Sequence, residues 1–310
     1  MTIRLGVGLP QMKRYDVSRD VAEVARTAEQ IGYESLWVFE RVLFPERPQQ
    51  GLYSIPGLAW PDSYRSVADP LVVLSLAAAA TERARLGSSV LIAPLHVPFQ
   101  LARTLATLDA ASDGRVLAGF GTGWSLDEYA AASFTPFQER GRVLDELLDV
   151  CAAVWGPNPV SYQGTWTVIN EAEVGPKPAS PIPVYLAAAS RKALDRVARR
   201  ADGWLPTGTP PEQLAAQWRQ LMDLAASYGR DDHPLEMCVR ANVQLTRDPV
   251  DDDQRQPFVG TVEQIVQDVA AHAAVGVHEV LLDLQGNVRD AKELTDLAAR
   301  VYADVRDAGI

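Results

Sequence analysis

Short apolar runs alternate along this chain with longer stretches in which apolar residues recur every three or four positions. Ile3 to Leu9 reads as a first strand, and Ser18 opens a helix carrying Val21, Val24, Ala25, Ala28 and Ile31 on one face until Gly32 stops it. Strands then read at 35–40, 84–92, 115–121, 183–189, 203–207, 235–245 and 278–284. Helices read from Asp69-Pro70 to Ala80, and over 98–111, 139–155, 190–201, 211–228, 261–275 and 290–305. Thr261 and Gln264 have capping-box spacing, and Gly276 is the stop of the helix they open.

Eight strand–helix units with short, nearly continuous apolar strands predict a parallel sheet covered on both faces. A closed TIM (β/α)8 barrel and an open doubly wound sheet both satisfy that pattern, and the count of eight favours closure. The 310 residues exceed the roughly 250 of a plain barrel and are read as one domain with two insertions. The first, about 44–68, is rich in proline, glycine and aromatic residues; the second spans about 156–181. Each follows the carboxyl end of a strand or its helix, so both are expected near the barrel mouth, the first as a lid whose Phe44, Trp60 and Tyr64 wall a substrate.

A hydrophobic content of 47% supplies a large core, which argues against disorder. The net charge of -11 disfavours nucleic acid and anionic membranes as partners, although a local ring of backbone N–H groups can still hold a phosphate. No stretch approaches the ~20 apolar residues of a membrane span, and the chain opens directly on a strand pattern. Cys151 and Cys238 lack metal-ligand spacing and read as reduced core thiols, so a cytoplasmic protein is expected.

Catalytic groups of a barrel gather at the carboxyl ends of its strands. Here those ends hold Leu9-Pro10-Gln11, Glu40-Arg41, Ser88-Ser89-Val90, Thr122-Gly123-Trp124, Ala187 to Ser190, Thr207-Gly208 and Gln285-Gly286. They contain no metal-ligand cluster, no nucleophile elbow and no Walker loop. His96, His233, His272 and His278 are scattered, and the last two are expected at the surface. A mouth with few acid–base groups, small residues and aromatic walls suits a large planar cofactor whose own ring carries the electrons. The small run Ala187-Ala188-Ala189 ending on a Ser190 cap is the best phosphate seat, with Thr207-Gly208 the weaker neighbour.

The segments GVGLP, GYESLWVFERVLFP, DPLVVLSLAAAAT, ARLGSSVLIAP, LATLDAASDGRVLAGFGTGW, ADGWLPTG and GTVEQIVQDVAAHAAVGVHEVLLDL, in this order, give the chain its family look. It resembles the luciferase-like monooxygenase superfamily, in particular its F420-dependent oxidoreductases, over essentially its whole length. The resemblance implies a barrel that binds coenzyme F420 or FMN at the strand ends, with Ser88, Ser89, Val90, Thr122, Gly123, Thr207 and Gly208 around the ring and Ala187, Ala188, Ala189 and Ser190 at the phosphate. It also implies a bulge after the third strand with a cis peptide at Ser89–Val90, pressed against the central ring.

Two departures bear on chemistry. Sugar-phosphate dehydrogenases of this kind carry Asp-His where Glu40-Arg41 stand and a Glu where Trp124 stands, and many relatives have Gly-Gly at Ala187-Ala188. The expected activity is therefore hydride transfer between C5 of F420 and a small organic substrate other than a sugar phosphate. Glu40 and Arg41 are expected either at the ring edge or paired with each other, Arg41 steadying developing negative charge, with Trp124 completing the apolar wall. The alternatives are an FMNH2-dependent monooxygenase and a non-catalytic ligand-binding barrel. A homodimer is expected from the alanine- and leucine-rich helices after Asp69 and Pro98, and the family implies one too.

Overall fold

The computed structural model describes residues 2–251, 253 and 255–310. Eight parallel strands, β1 (Arg4–Gly8), β2 (Ser35–Val38), β3 (Arg85–Ser88), β4 (Val116–Gly121), β5 (Val184–Leu186), β6 (Gly203–Trp204), β7 (Glu236–Asn242) and β8 (Glu279–Asp283), pair in sequence order. β8 returns to β1 through Arg4↔Glu279 to Val7↔Leu282, so the sheet closes and the open alternative is excluded. The helices α1 (Val17–Ile31), α2 (Pro70–Ala80), α3 (Pro98–Ala111), α4 (Leu126–Ala132), α5 (Arg140–Trp155), α6 (Arg191–Arg200), α7 (Pro211–Ser227), α8 (Val262–Ala274) and α9 (Ala291–Asp307) surround it.

Helix boundaries follow the local code. Asp69 accepts from the backbone of Leu71 and Val72, Ser190 from Ala193, and Thr261 with Gln264 forms the reciprocal capping box. Gly32 ends α1 at φ 119°, a conformation that favours glycine. Ser125 caps the short α4, which the periodicity did not reveal. Several strands are shorter than their apolar runs: the run 203–207 forms the strand Gly203–Trp204 and then only an isolated bridge from Thr207 to Arg240, and the run 235–245 splits into β7 and a two-residue strand pairing with Val259–Gly260. Residues 156–181, expected near the mouth, leave α5 at its carboxyl end and run instead along the outer flank of α3 and α5. There they form the hairpin Val160–Gln163/Val168–Ala172; its turn donates three backbone N–H groups to Glu146, and Ala179 donates to Asp109.

Strand alternation sends Leu5, Val7, Leu36, Val38, Val116 and Phe120 outward into the helix-covered core. Inside the barrel a second cluster forms from Trp37, Leu117, Tyr185, Leu205, Cys238 and Leu281. Trp37 fits only because its neighbours lack side chains: a Cβ on Gly87 would lie 2.4 Å from its ring, and one on Gly6 2.6 Å. Such an aromatic buries about 150–250 Å², worth about 4–6 kcal/mol as an upper bound.

Below this layer lies the charged floor of the barrel. Glu279, fully buried, accepts from Ser35, from Trp37 Nε1 at 3.0 Å and from Arg85 and Arg4. Glu236 accepts from Arg4 at 2.5 Å and from Tyr185. Burial opposes the charge of Glu236, but these partners hold its carboxyl below the usual range. Cys151 and Cys238 are buried free thiols. His272, expected at the surface, is fully buried with Nδ1 2.6 Å from the carbonyl of Asp268.

Candidate functional site

The carboxyl end of β3 departs from regular sheet. β3 pairs with β4 up to Gly87↔Leu117, and pairing resumes at Leu91↔Phe120. Four residue steps on one strand thus face three on the other, which defines a β-bulge at Ser88, Ser89 and Val90. The apolar run 84–92 had read as one strand; the bulge splits it. The Ser89–Val90 peptide within it is cis.

Side chains replace the missing ladder. Ser88 Oγ donates to the carbonyl of Gly119 at 2.9 Å and accepts from its N–H at 3.0 Å. The Ser88 carbonyl fills the place of a side chain on Gly119, where a Cβ would stand 1.7 Å from it. Gly121 is hydrogen there for a similar reason: a Cβ would lie 2.6 Å from Val90 Cγ2 and 3.8 Å from Ala187. The alternating glycines of GFGTG are thus the negative of the bulge opposite them.

Arg240 on β7 anchors the bulge from across the barrel. Its guanidinium donates to the Ser89 carbonyl, to Asp283 Oδ2 at 2.5 Å and to Asn242 Oδ1 at 2.8 Å, and sits 5.1 Å from the Phe39 ring. Burial disfavours its charge, yet Asp283 and its other neighbours keep it firmly protonated.

The expected Glu40-Arg41 pairing does not form. Glu40 is buried, accepting from the N–H of Ile92 at 2.5 Å and lying 2.8 Å from His96 Nε2. Burial lowers the pKa of the His96 ring, but the Glu40 hydrogen bond and charge outweigh it and hold that pKa above its usual value. Arg41 instead donates to Glu128 on α4 at 2.7 Å, and the other Glu128 oxygen accepts from Val42 N–H at 3.0 Å. Burial lifts the Glu128 carboxyl above the usual range against the pull of Arg41.

The Arg41 guanidinium is ringed by Trp124 at 5.0 Å, Tyr64 at 5.9 Å and Trp60 at 6.0 Å. Trp60 and Trp124 touch at 5.0 Å between centroids, and Phe44 meets Trp60 edge-on at 6.0 Å. The first insertion therefore lies against Trp124 and α4, tied by Gln49 to Asp127 at 3.0 Å and by Gln50 to the Trp124 carbonyl at 2.8 Å. Within this box Arg41 Nε is buried and has no acceptor among the described residues. An unmet buried donor costs about 1–3 kcal/mol.

On the β4–β5 side a cleft of about 270 Å³ is lined by Thr122, Ala187, Ser190, Lys192 and the turn from Gln138 to Arg142, with Arg196 at its base. Four cations and one carboxylate line it, in a chain of net charge -11. Arg196 is committed to Asp145 at 2.6 and 3.0 Å, whereas Lys192 is exposed. Ala188 is buried and Ala189 exposed beside it. Thr207 and Gly208 are exposed and do not line this cleft; Gly123, at φ 66°, turns the chain toward Trp124.

Contributors that the sequence did not point to include His96, Glu128, Lys192, Arg240 and Asp283. Only Glu128 had a local signal, the Ser125 cap three residues before it. Among the described residues no group of three or more His, Cys, Asp or Glu converges as a metal site would require. No helix among them is long and apolar enough to cross a membrane.

The model of one protein family, described as luciferase-like monooxygenase, matches residues 2–299. An uncharacterised protein of Mycobacterium tuberculosis is 35% identical over 216 residues, 69% of this chain and 76% of that one. An F420-dependent glucose-6-phosphate dehydrogenase of Amycolatopsis mediterranei is 30% identical over 192 residues, 61% of this chain and 53% of that one. Among solved structures, the monooxygenase RslO1 of Streptomyces bottropensis aligns with a TM-score of 0.76 at 18% identity, covering 97% of each chain.

Proposed function

Because this chain belongs to the luciferase-like monooxygenase family, and so to a superfamily of oxidoreductases, we propose that it transfers a hydride between coenzyme F420 and a small organic substrate. The observation that carries this reading is the cation-lined cleft that runs from Ser190 to Thr122 and Ala187, beside the bulge at Ser89–Val90. Because Gly121 has no side chain, Val90 of the bulge packs directly against β4 beside Ala187, where a Cβ would lie 2.6 Å from Val90 Cγ2. A planar ring would lie along this wall and in the cleft beside Thr122 and Ala187, with its phosphate toward the N-terminus of α6, where Ser190 and free N–H groups favour negative charge.

When bound, the deazaflavin supplies the hydride; the chain supplies placement. Ser88, Ser89 and Val90 would press backbone to one face, Thr122 and Gly123 would border it, and Ala187 to Ser190 with Lys192 would take the phosphate. Thr207 and Gly208 would close the far edge. Residues 44–68 would act as a lid that excludes water, with Phe44, Trp60, Tyr64 and Trp124 as the substrate wall. Arg41 would donate to the substrate oxygen, while Glu40, engaged by Ile92 and His96, would hold the β2 end against the bulge. Hydride transfer needs close, fixed placement more than strong acids, which accords with so few free ionisable groups at the mouth.

Titration with reduced F420, followed by its absorbance, tests this reading; no binding at micromolar cofactor would remove it. Oxygen uptake with FMNH2 and none with F420 would establish the monooxygenase alternative. A protein that binds cofactor yet turns over no member of a broad substrate panel would be a ligand-binding barrel.

A further inference from the structure

Three ion pairs border the mouth, and each is closed on itself. Arg41 meets Glu128 at 2.7 Å, Arg240 meets Asp283 at 2.5 Å, and His96 meets Glu40 at 2.8 Å. Among the described residues that wall this aromatic box, no cation is left to balance an incoming anion. Sugar-phosphate or carboxylate substrates would have to be desolvated against aromatic rings with their charge unmatched.

One polar group nevertheless stands open, the Arg41 Nε–H. Its side chain is only 10% exposed, and the atom has no acceptor among the described residues. Phe39, two residues before Arg41, meets Tyr64 at 5.4 Å, and the Arg41 guanidinium lies 5.9 Å from the same ring. The walls around that N–H are Trp60, Tyr64 and Trp124. What completes such a site is an acceptor oxygen without charge and without a hydrogen of its own to place, on an apolar or aromatic body.

We propose that Arg41 Nε–H is the specificity-determining donor for the oxygen of a neutral carbonyl compound, a ketone, enone or aldehyde, bound among Trp60, Tyr64 and Trp124. The inference rests on reading the mouth as the substrate end of the site, but not on which cofactor lies beside it. Trp60 and Trp124 cover the N–H, so the lid segment must lift from its ties to Asp127 and the Trp124 carbonyl to admit the ligand.

The test is a titration of the full chain, with and without F420, followed in proton–nitrogen correlation spectra of arginine Nε–H groups. Arg41→Lys, which keeps the charge and lacks that donor, assigns the Arg41 resonance by its disappearance. The probes are acetophenone and 2-cyclohexenone against benzoate and glucose 6-phosphate. The expected result is a saturable downfield shift of the Arg41 signal with the two ketones at millimolar concentration, and none with the two anions. Arg41→Lys should weaken ketone binding, read by ligand-observed spectra, at least about tenfold, and Glu128→Gln, which uncovers the Arg41 charge, should admit benzoate. Anions that bind as tightly as ketones, ketone binding unaffected by Arg41→Lys, or no movement of the wild-type Arg41 signal would each overturn the proposal. The wild-type shift needs no variant to fold, and F420 affinity is read separately from its fluorescence. Ketone binding without F420 binding would sink the cofactor reading alone.

Discussion

Adding one methyl group at Gly119 tests the construction of the bulge directly. In Gly119→Ala the new Cβ would stand 1.7 Å from the Ser88 carbonyl oxygen and 2.9 Å from its carbon. Carbon and oxygen tolerate about 3.3 Å at closest, so the Ser88 carbonyl must retreat by about 1.6 Å. It has little freedom to do so. The Ser88 hydroxyl is bound to both backbone groups of Gly119, and the next residue donates its N–H to the Val38 carbonyl at 2.7 Å. Overpacking a well-filled interior ordinarily costs about 1–3 kcal/mol, and since the clash is with backbone we expect about 3 kcal/mol or more. Urea denaturation monitored by tryptophan fluorescence gives the number, with Gly286→Ala, whose Cβ would meet nothing within 4 Å, as the control expected within about 0.5 kcal/mol of the parent. Cofactor affinity should fall as well, because the displaced residues border the proposed ring site. A Gly119→Ala protein as stable as the control would mean that the β3–β4 register described above is wrong.

Arg240→Met should be similarly damaging, by about 3–5 kcal/mol, because it strands the Asp283 carboxylate and the Ser89 carbonyl in the interior; a loss below about 1 kcal/mol in the same assay would refute that role. The Glu40–His96 pair makes a signed pH prediction. The folded pKa of His96 is raised above the ordinary value near 6.5, so its stabilisation is complete below that pH and lost as pH rises through the raised value. The melting temperature of the parent should therefore approach that of His96→Gln as pH rises from 6 to 9 (about the span of that titration), and a constant gap would count against the pair. The groove between α2 and α3, about 370 Å³ and lined by Leu71, Ala78 and Leu108 together with Ser75, Arg103 and Thr107, is where we propose the homodimer contact. Val72 nearby is 55% exposed, and Val72→Glu should give a monomer by light scattering if the parent is a dimer through this face.

Local order was legible in the sequence because its causes are local. The spacing of Val21, Val24, Ala25 and Ala28, the Ser190 cap, the Thr261–Gln264 box and the Gly32 stop each act within a few residues, and each lies where the pattern put it. The repeated strand–helix order likewise left only closure to be decided, and the pairing of β8 with β1 decides it. Periodicity ran straight through the bulge, since Leu86, Val90 and Ile92 remain apolar whether or not a residue is inserted between strands. The register against β4 exposes it, and so does the resemblance, which placed a bulge there.

The side chains of the mouth followed a different rule. Glu40 and Arg41 are neighbours in the chain, yet they take different partners, one His96 and the other Glu128 87 positions away. Arg240 reaches the Ser89 carbonyl across 151 residues. Sequence by itself determined the eight strand–helix units and their order, because helix caps and hydrophobic periods are short-range. Tertiary structure alone decided which charges cancel and which buried side-chain donor among the described residues is left open, because each buried ion selects its partner by proximity in space after the strands have closed.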